Sequence, residues 1–500
     1  MKNNLTVIWF RSDLRFGDNP AWYYGVQETL KKIKEIEKEN LTTKLNIQNT
    51  VNNQVLPIFI LDPVFYHNPV AARRTRYLLT LLQEFKKSLP ELMIYFGEPT
   101  AVIKQIQSSC DSMLTIYANA DYDPYSRLRD SQVSRIDKVK LNLFEDKITI
   151  DKSTVTKTSQ NLYSVFTPFK NSVIGQFLEA KTVDTILPAM LKNEENCYFF
   201  NQKIETIETI DSDTDFKDYI AGLPALAITL DGTTYDLSGQ DCLLNKYPYI
   251  NENEVLTEFK KFLSTNYNTY GKNRDIPHLS GTSNMSIALK WGLVSPRTLK
   301  NLILEVDPNP INSTYISELI WREFYKYILY HYPKVVNEEY LVKYRDNNLL
   351  WYTKTRQKEY FSFWIKGSTH YSLVDAGIMQ LQQQGWMHNR VRMVTGAILT
   401  KNLGVNWRYG QEYFRAMLLD LDEASNNGGW QWCASTGADP KPIRIFNPYI
   451  QEEKFDKEKL YQRKFLPKDY NYDTPPIIEH PIARDRALLR YKEAKESMGD

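Results

Sequence analysis

The sequence predicts two units of different class: a doubly wound, parallel-sheet (Rossmann-like) α/β domain at the N-terminus and a larger, all-α domain at the C-terminus, joined by a long connector. Three observations predict this. Short, almost wholly apolar runs alternate with helix-length stretches through residues 1–150, the apolar spacing becomes helical from residue 256, and 500 residues are too many for one average core.

The apolar runs are Val7–Phe10, Leu56–Leu61, Met93–Phe96 and Leu114–Tyr117. Runs of this kind suit strands buried on both faces of a parallel sheet. Between them, Arg74–Leu89 and Tyr125–Leu141 have helical length and spacing, which completes the alternation of a doubly wound fold. Lys31–Asn53, rich in Lys, Glu and Asn, reads as a charged helix end followed by a surface insertion. Residues 151–255 are acidic and weakly periodic, as a connector would be. Within 256–470, Val374, Ile378 and Leu381 recur at helical spacing, as do Ile320, Phe324, Tyr327 and Ile328. Residues 471–500 begin with prolines and end in a charged run, a loop and a terminal surface helix.

Composition excludes several function classes. A balance of 62 Lys+Arg against 60 Asp+Glu gives a net charge of +2, which argues against indiscriminate coating of nucleic acid and leaves a local basic groove open. Cys110, Cys197, Cys242 and Cys433 stand far apart with no CxxC pair, so neither a disulfide framework nor a zinc cage is expected. No apolar stretch has the length of a signal core or a membrane span, and the expectation is a soluble, cytoplasmic protein with no membrane partner.

Eight of the ten tryptophans lie between Trp291 and Trp432, which marks a packed helical core or a site that uses indoles. Four segments in the helical unit carry chemistry. Gly281-Thr282-Ser283-Asn284-Met285-Ser286 sets hydroxyls before an apolar helical run, an ordinary N-cap or an anion site suited to a pyrophosphate. Glu318, Trp321 and Arg322 fall on adjacent turns of one predicted helix. In Gly385-Trp386-Met387-His388-Asn389-Arg390-Val391-Arg392-Met393, Arg392 lies near the apolar face, where a guanidinium needs an acid, and Asp420 or Asp422 can supply it. Ser425-Asn426-Asn427-Gly428-Gly429 reads as turn chemistry, followed by a polar loop in which Trp430 and Trp432 flank Gln431. Neither GxGxxG nor a P-loop is present.

Together these segments resemble the DNA photolyase and cryptochrome family. The likeness runs in order through VIWFRSDLRFGDNPA, RDIPHLSGTSNMS, ELIWREFY, GWMHNRVRM, NWRYGQEYF, DLDEASNNGGWQWCASTG and DPKPIRIFNP, spanning about residues 5 to 470. WMHNRVRM and NNGGWQW are most similar to the class I cyclobutane pyrimidine dimer photolyases. The resemblance implies an antenna domain in 1–150, a connector in 151–255, an FAD-binding catalytic domain in 256–470 and a C-terminal surface segment in 471–500.

It further implies a U-shaped FAD contacted by Tyr270, Thr282, Ser283, Asn284, Met285, Ser286, Arg322, Asn389, Arg392, Asp420, Leu421 and Asp422, with Asn426 facing flavin N5. The family usually has an arginine where this chain has Asn284. Electrons would reach the flavin through Trp430, Trp407 and Trp351 as inner, middle and outer indoles. Trp321 and Trp432 would sandwich a flipped pyrimidine dimer beside Glu318, Asn389 and Met393, while Arg274, Arg390 and Arg444 would grip DNA phosphates. The segment around Ser126 departs from the folate pattern, so the resemblance implies deazaflavin or FMN as the antenna in preference to folate, or an empty site. The implied activity is light-driven dimer repair on damaged DNA by a monomer; the alternative is an FAD-binding blue-light photoreceptor without repair activity.

Overall fold

In the computed structural model the described residues are all of 4–497 except 44–52, 111, 154, 157–161, 192–196, 201–203, 205, 241–247, 346 and 440–442. The predicted strands form: β1 (Asn4–Phe10), β2 (Asn53–Leu61), β3 (Met93–Phe96) and β4 (Leu114–Asn119). The helices between them are Pro20–Thr43, Ala72–Ser88, Pro99–Ser108 and Pro124–Val133, with short turns after β2. The stretch predicted as one helix over Tyr125–Leu141 is instead a helix ending at Val133 and a fifth strand, β5 (Val139–Phe144). Alternation of Val139, Leu141 and Leu143 with polar residues suits a half-buried edge strand, and pairing with β4 takes it out of the helix. The surface insertion expected before Asn53 falls largely outside the described residues.

Strand order is β5-β4-β1-β2-β3, all parallel, so the direction of winding reverses at β1. Val7, Leu56, Ile58, Leu114 and Ile116 are completely buried, which explains their unbroken apolar runs.

The 151–255 region is more structured than a tether. It carries β6 (Cys197–Phe199), parallel to the start of β2, and β7 (Thr209–Ile210), antiparallel to β3. A separate hairpin, β8 (Ala227–Leu230) with β9 (Thr233–Asp236), packs on the helix Trp407–Met417 of the C-terminal unit.

Beyond residue 251 the structure is helical. Ile320, Phe324, Tyr327 and Ile328 on the helix Thr314–His331 and Val374, Ile378 and Leu381 on Ser372–Gln384 are buried, as their spacing predicts. The terminal helix His480–Glu496 buries Ala483, Ala487, Tyr491 and Ala494 together with Arg490, which donates to the Lys401 carbonyl at 2.6 Å, and exposes Arg484, Asp485, Arg486, Lys492 and Glu493.

A buried ion cluster fastens the two units. Asp146, after β5, accepts from Arg15 at 2.5 Å and Arg297 at 2.8 Å, and Asp18 accepts from Arg297 at 2.8 Å. Gly292 adopts φ +63°, and a Cβ there would stand 2.1 Å from the Ser12 carbonyl oxygen, so only glycine lets this turn approach the loop after β1.

Candidate active site

Four helices of the C-terminal unit bring most predicted residues together: Thr314–His331, Asn389–Ala397, Trp407–Met417 and Glu423–Cys433, the last packing on each of the others. Asn426 through Trp432 form neither turn nor loop; they lie inside Glu423–Cys433. Asp422 caps this helix, its Oδ1 accepting from Ser425 N at 3.0 Å and Ser425 Oγ at 2.9 Å. Of the two glycines only Gly428 serves packing: a Cβ there would lie 2.1 Å from the Tyr325 ring, whereas one on Gly429 would meet nothing within 4 Å. Tertiary fit here overrides the turn preference of the local sequence.

Arg392 does find an acid, and it is Asp420, at 2.8 Å. The other carboxylate oxygen, Asp420 Oδ1, is buried without a protein partner, as is Trp430 Nε1. Asn426 donates from Nδ2 to the Gln411 carbonyl at 3.2 Å, and Leu421 is buried beside the pair. More than nine in ten buried polar groups are satisfied in folded proteins, so an orphaned carboxylate oxygen and an orphaned indole N–H are groups that a ligand with its own polar edge can satisfy. A flat heteroaromatic ring with N–H and C=O groups fits that donor set.

Asp422 is engaged by the protein. Its Oδ2 pairs with Lys326, and although burial alone would raise the carboxyl, Lys326 and Arg322 hold it well below the ordinary carboxylate range. Arg322 donates to the Lys147 carbonyl at 2.5 Å and lines a cavity of about 40 Å³ between the two units, with Asp121, Lys290 and Asp422. Burial pulls the Lys290 ammonium down to about 8.

The predicted phosphate segment lies just before the helix Met285–Trp291. Asn284 is its left-handed N-cap at φ +55° and accepts from Thr282 Oγ1 at 3.1 Å, while Met285 is core. Ser283 Oγ meets Tyr315 OH at 2.7 Å, and Ser286 Oγ accepts from Trp386 Nε1 at 3.2 Å. Tyr270 packs against Tyr315 with ring centroids 5.1 Å apart. The sequence alone does not single out Tyr315, Trp386 or Lys326. Trp386 stands inside the Gly385–Met393 segment; the other two carry no local signal.

The rim residues are already paired. Glu318 forms an ion pair with Arg274, and Arg390 pairs with Asp275 at 2.8 Å. Trp321 stacks on Phe166 at 3.6 Å with planes 6° apart; Trp432 and Met393 are half-buried, and Asn389 is exposed. Arg444 is exposed on the chain beyond Glu423–Cys433, and only its carbonyl is engaged, by Lys401 at 2.6 Å. His388 caps Asn389–Ala397 by accepting from Arg390 N at 3.2 Å, and burial lowers its pKa to about 4.

Of the indoles, Trp430 packs edge-on to Phe414 at 4.9 Å and Trp364 at 6.0 Å. Trp407 is fully buried and donates to Glu339 at 3.0 Å; Trp351 lies at the edge of the same core.

Residues 6–189 match the family described as DNA photolyase, and residues 315–496 match the FAD binding domain of DNA photolyase. Over 98% of its length the chain is 30% identical to a deoxyribodipyrimidine photo-lyase of Buchnera aphidicola subsp. Baizongia pistaciae, covering 99% of that protein. The chain belongs to the DNA photolyase family. Among solved structures it resembles a class III photolyase from Agrobacterium tumefaciens at TM-score 0.76 and 26% identity, covering 99% of this chain and 98% of that one. An archaeal photolyase from Sulfolobus tokodaii, solved with two FAD molecules, aligns at TM-score 0.72 and 25% identity over 98% of this chain and all of that one.

In this photolyase-family chain the crevice at the β1/β4 reversal is the place where a doubly wound sheet ordinarily binds a ligand. Here it is filled largely by its own ion pairs. Arg11 holds Asp130 through two hydrogen bonds of 2.9 and 2.7 Å, Asn119 donates to Asp13 at 2.6 Å, and Tyr125 donates to Asp62. Ser126 is buried, its N–H on Asp123 at 2.9 Å. Among the described residues no helix is long and apolar enough to cross a membrane, and no cluster of His, Cys, Asp and Glu suits a metal.

Proposed function

We propose that this chain repairs cyclobutane pyrimidine dimers in DNA, with FAD held in the helical unit and the dimer flipped out of the duplex toward it. Bound, reduced FAD supplies the light-excited electron donor; the rest of the chemistry falls on side chains. Arg392 and Asp420 orient the ring edge, Asp420 Oδ1 being the open acceptor. The Asn426 amide presents an oxygen still available to N5, and an amide meets either protonation state of that atom without adding charge. Thr282, Ser283, Ser286 and Tyr270, with Asn284 and Met285, hold the phosphate end, while Asn389, Leu421, Asp422 and Arg322 complete the shell.

At the rim, Glu318 would face the dimer with its charge already balanced by Arg274, so that a carboxylate near the lesion does not oppose arrival of an electron. Phe166 fixes the Trp321 plane, which lowers the entropy lost when a base stacks there, and Trp432 and Met393 supply the other apolar wall. Arg274, Arg390 and Arg444 meet phosphates, reading damage by shape and not by sequence. Trp430, Trp407 and Trp351 return electrons from solvent to the flavin.

The observation that carries the reading is the Arg392–Asp420 pair with its orphaned oxygen, set beside Asn426 and Trp430 on helices that touch the Glu318–Trp321 helix. The class I likeness of WMHNRVRM and NNGGWQW favours dimers over (6-4) products. We assign 1–150 to the antenna, 151–255 to the connector, 256–470 to catalysis and 471–500 to the C-terminal surface segment. The protein acts on DNA in the cytoplasm as a monomer, and an antenna, where bound, is deazaflavin or FMN in preference to folate. The deciding experiment illuminates flavin-loaded, chemically reduced protein with a thymine-dimer oligonucleotide. Restored thymines in the light alone are expected. Bound flavin with no restoration would favour the photoreceptor alternative.

A further inference from the structure

Trp430 touches an indole that the three-member route leaves out. Trp364 is completely buried, stands 6.0 Å from Trp430 edge to face, and opens onto an aromatic cluster on its far side. It stacks on Phe361 at 5.9 Å and meets Tyr413 at 5.3 Å; Phe361 in turn meets Tyr409 at 5.1 Å. Tyr409 lies one turn from Tyr413 on the helix Trp407–Met417 and is itself buried, but its hydroxyl bonds to a side chain that reaches solvent.

Tyr413 is completely buried and donates to the Gln240 side-chain oxygen at 2.9 Å. Tyr409 donates to Asp231 Oδ2 at 2.6 Å, a carboxylate at the turn of the β8–β9 hairpin. Lys354 Nζ lies 3.6 Å from the other oxygen, and a third of the Asp231 side chain is open to solvent. In the ground state burial and the hydrogen bond to Asp231 push the Tyr409 phenol up, so it holds its proton until it loses an electron.

We propose that Trp430 is refilled by a second route, from Trp364 and then Tyr409, with Asp231 as the proton acceptor that makes Tyr409 the exit. The inference rests on the flavin lying beside Trp430. Once Trp430 has given up an electron, Trp364 supplies one and is left one short. Tyr409 refills Trp364: its O–H bond breaks, the electron passes inward across Phe361, and the proton goes to the Asp231 carboxylate, leaving a neutral phenoxyl radical. A small-molecule thiolate at the surface then returns an electron to Tyr409 and is itself oxidised to a thiyl radical, while Asp231 gives the proton back to the phenoxyl oxygen. The connector hairpin is thereby part of the route, because it carries the base.

The test is electron paramagnetic resonance and transient absorption after a light flash on flavin-loaded, oxidised protein, with tyrosine ring-deuterated in one sample. A phenoxyl signal that narrows on deuteration and disappears in Tyr409→Phe is expected. Asp231→Asn should slow its appearance at least tenfold. Trp351→Phe, which blocks only the other route at its periphery, should lower photoreduction to the share the second route carries, and adding Trp364→Phe should remove that remainder. A phenoxyl signal that survives Tyr409→Phe, or flavin photoreduction that proceeds with no phenoxyl signal, overturns the second route while leaving the flavin site standing. Folded protein that binds no flavin would instead overturn the site on which both routes depend.

Discussion

The β1/β4 crevice and the helical site are both lined with buried charge, yet they dispose of it in opposite ways. In the crevice every carboxylate finds a donor from the chain: Asp130 takes two bonds from Arg11, Asp13 takes the Arg11 and Asn119 amides, and Asp62 takes Tyr125. Its orphaned N–H groups, on Arg11 and Arg129, belong to guanidinium groups lying over the Trp9 ring. In the helical site an acceptor is left over, Asp420 Oδ1, together with the Trp430 N–H. Pairing that closes on itself builds a fold; pairing that stops one partner short leaves room for a ligand.

Removing one arginine from each place separates these meanings. Arg392→Ala strands Asp420, whose side chain is 2% exposed, and should destabilise the fold by roughly 3–5 kcal/mol because an uncompensated charge stays buried; Arg11→Ala leaves Asp130 its ion pair with Arg129 at 3.0 Å and should cost less. Only Arg392→Ala should also strip the protein of flavin absorbance at equal folded fraction. If Arg11→Ala bleached the protein as fully, the two regions would not differ as argued. A gentler change follows from the open face of Gly429: Gly429→Val introduces no clash with the chain and replaces the poorest non-proline helix former, so stability of the flavin-free protein should hold or rise by a few tenths of a kcal/mol, on the order of the helix-propensity difference, while flavin content drops severalfold. Retained flavin in that variant would move the ring elsewhere.

How far the sequence disclosed each region follows from the range of the forces involved. Val7, Ile58 and Ile116 announce buried strands because burial on two faces forces an apolar run, and Arg392 announces an acid partner because a guanidinium near a core requires one. Asn426 to Gly429 look like a turn since nothing nearby shows that Tyr325, a turn of another helix, needs a flat surface at Gly428. Lys326 on Asp422, Tyr315 on Ser283 and Trp364 on Trp430 are contacts between segments distant in sequence, set by how helices cross. The 139–144 strand was hidden for the same reason: its partner is β4, and its own pattern also suits a helix end.

Acid should weaken the helical site before the crevice. His388 is neutral in the folded protein, with a pKa lowered by burial to about 4, against an ordinary value of 6.5. Below 6.5 the unfolded chain takes up a proton that the folded chain refuses. Stability at this position therefore falls as pH drops from 6.5 toward 4, by up to about 1.4 kcal/mol per pH unit. Urea unfolding midpoints measured between pH 7 and pH 4.5 should show that decline, and His388→Asn, which can still cap the Asn389–Ala397 helix, should flatten it. An unchanged slope in the variant would assign the acid sensitivity to carboxylates instead.

The smallest effect concerns Asn284, where the family usually places an arginine. Its backbone sits at φ +55°, a left-handed conformation that asparagine tolerates and arginine resists by roughly 1–2 kcal/mol. A guanidinium on this exposed residue beside a bound pyrophosphate would gain an ion pair on the solvent-exposed scale, roughly 0.2–1 kcal/mol. Asn284→Arg should thus lower the melting temperature of flavin-free protein by a few degrees yet tighten FAD binding at low salt by less than tenfold, with the gain fading as salt rises. Calorimetric titration of flavin-stripped protein at two salt concentrations measures both parts. If affinity rose with no loss of flavin-free stability, the left-handed cap would not be what keeps asparagine here; if it did not rise at all, the phosphate end of the ligand lies away from Asn284, and the hydroxyls of Thr282 and Ser283 hold something else.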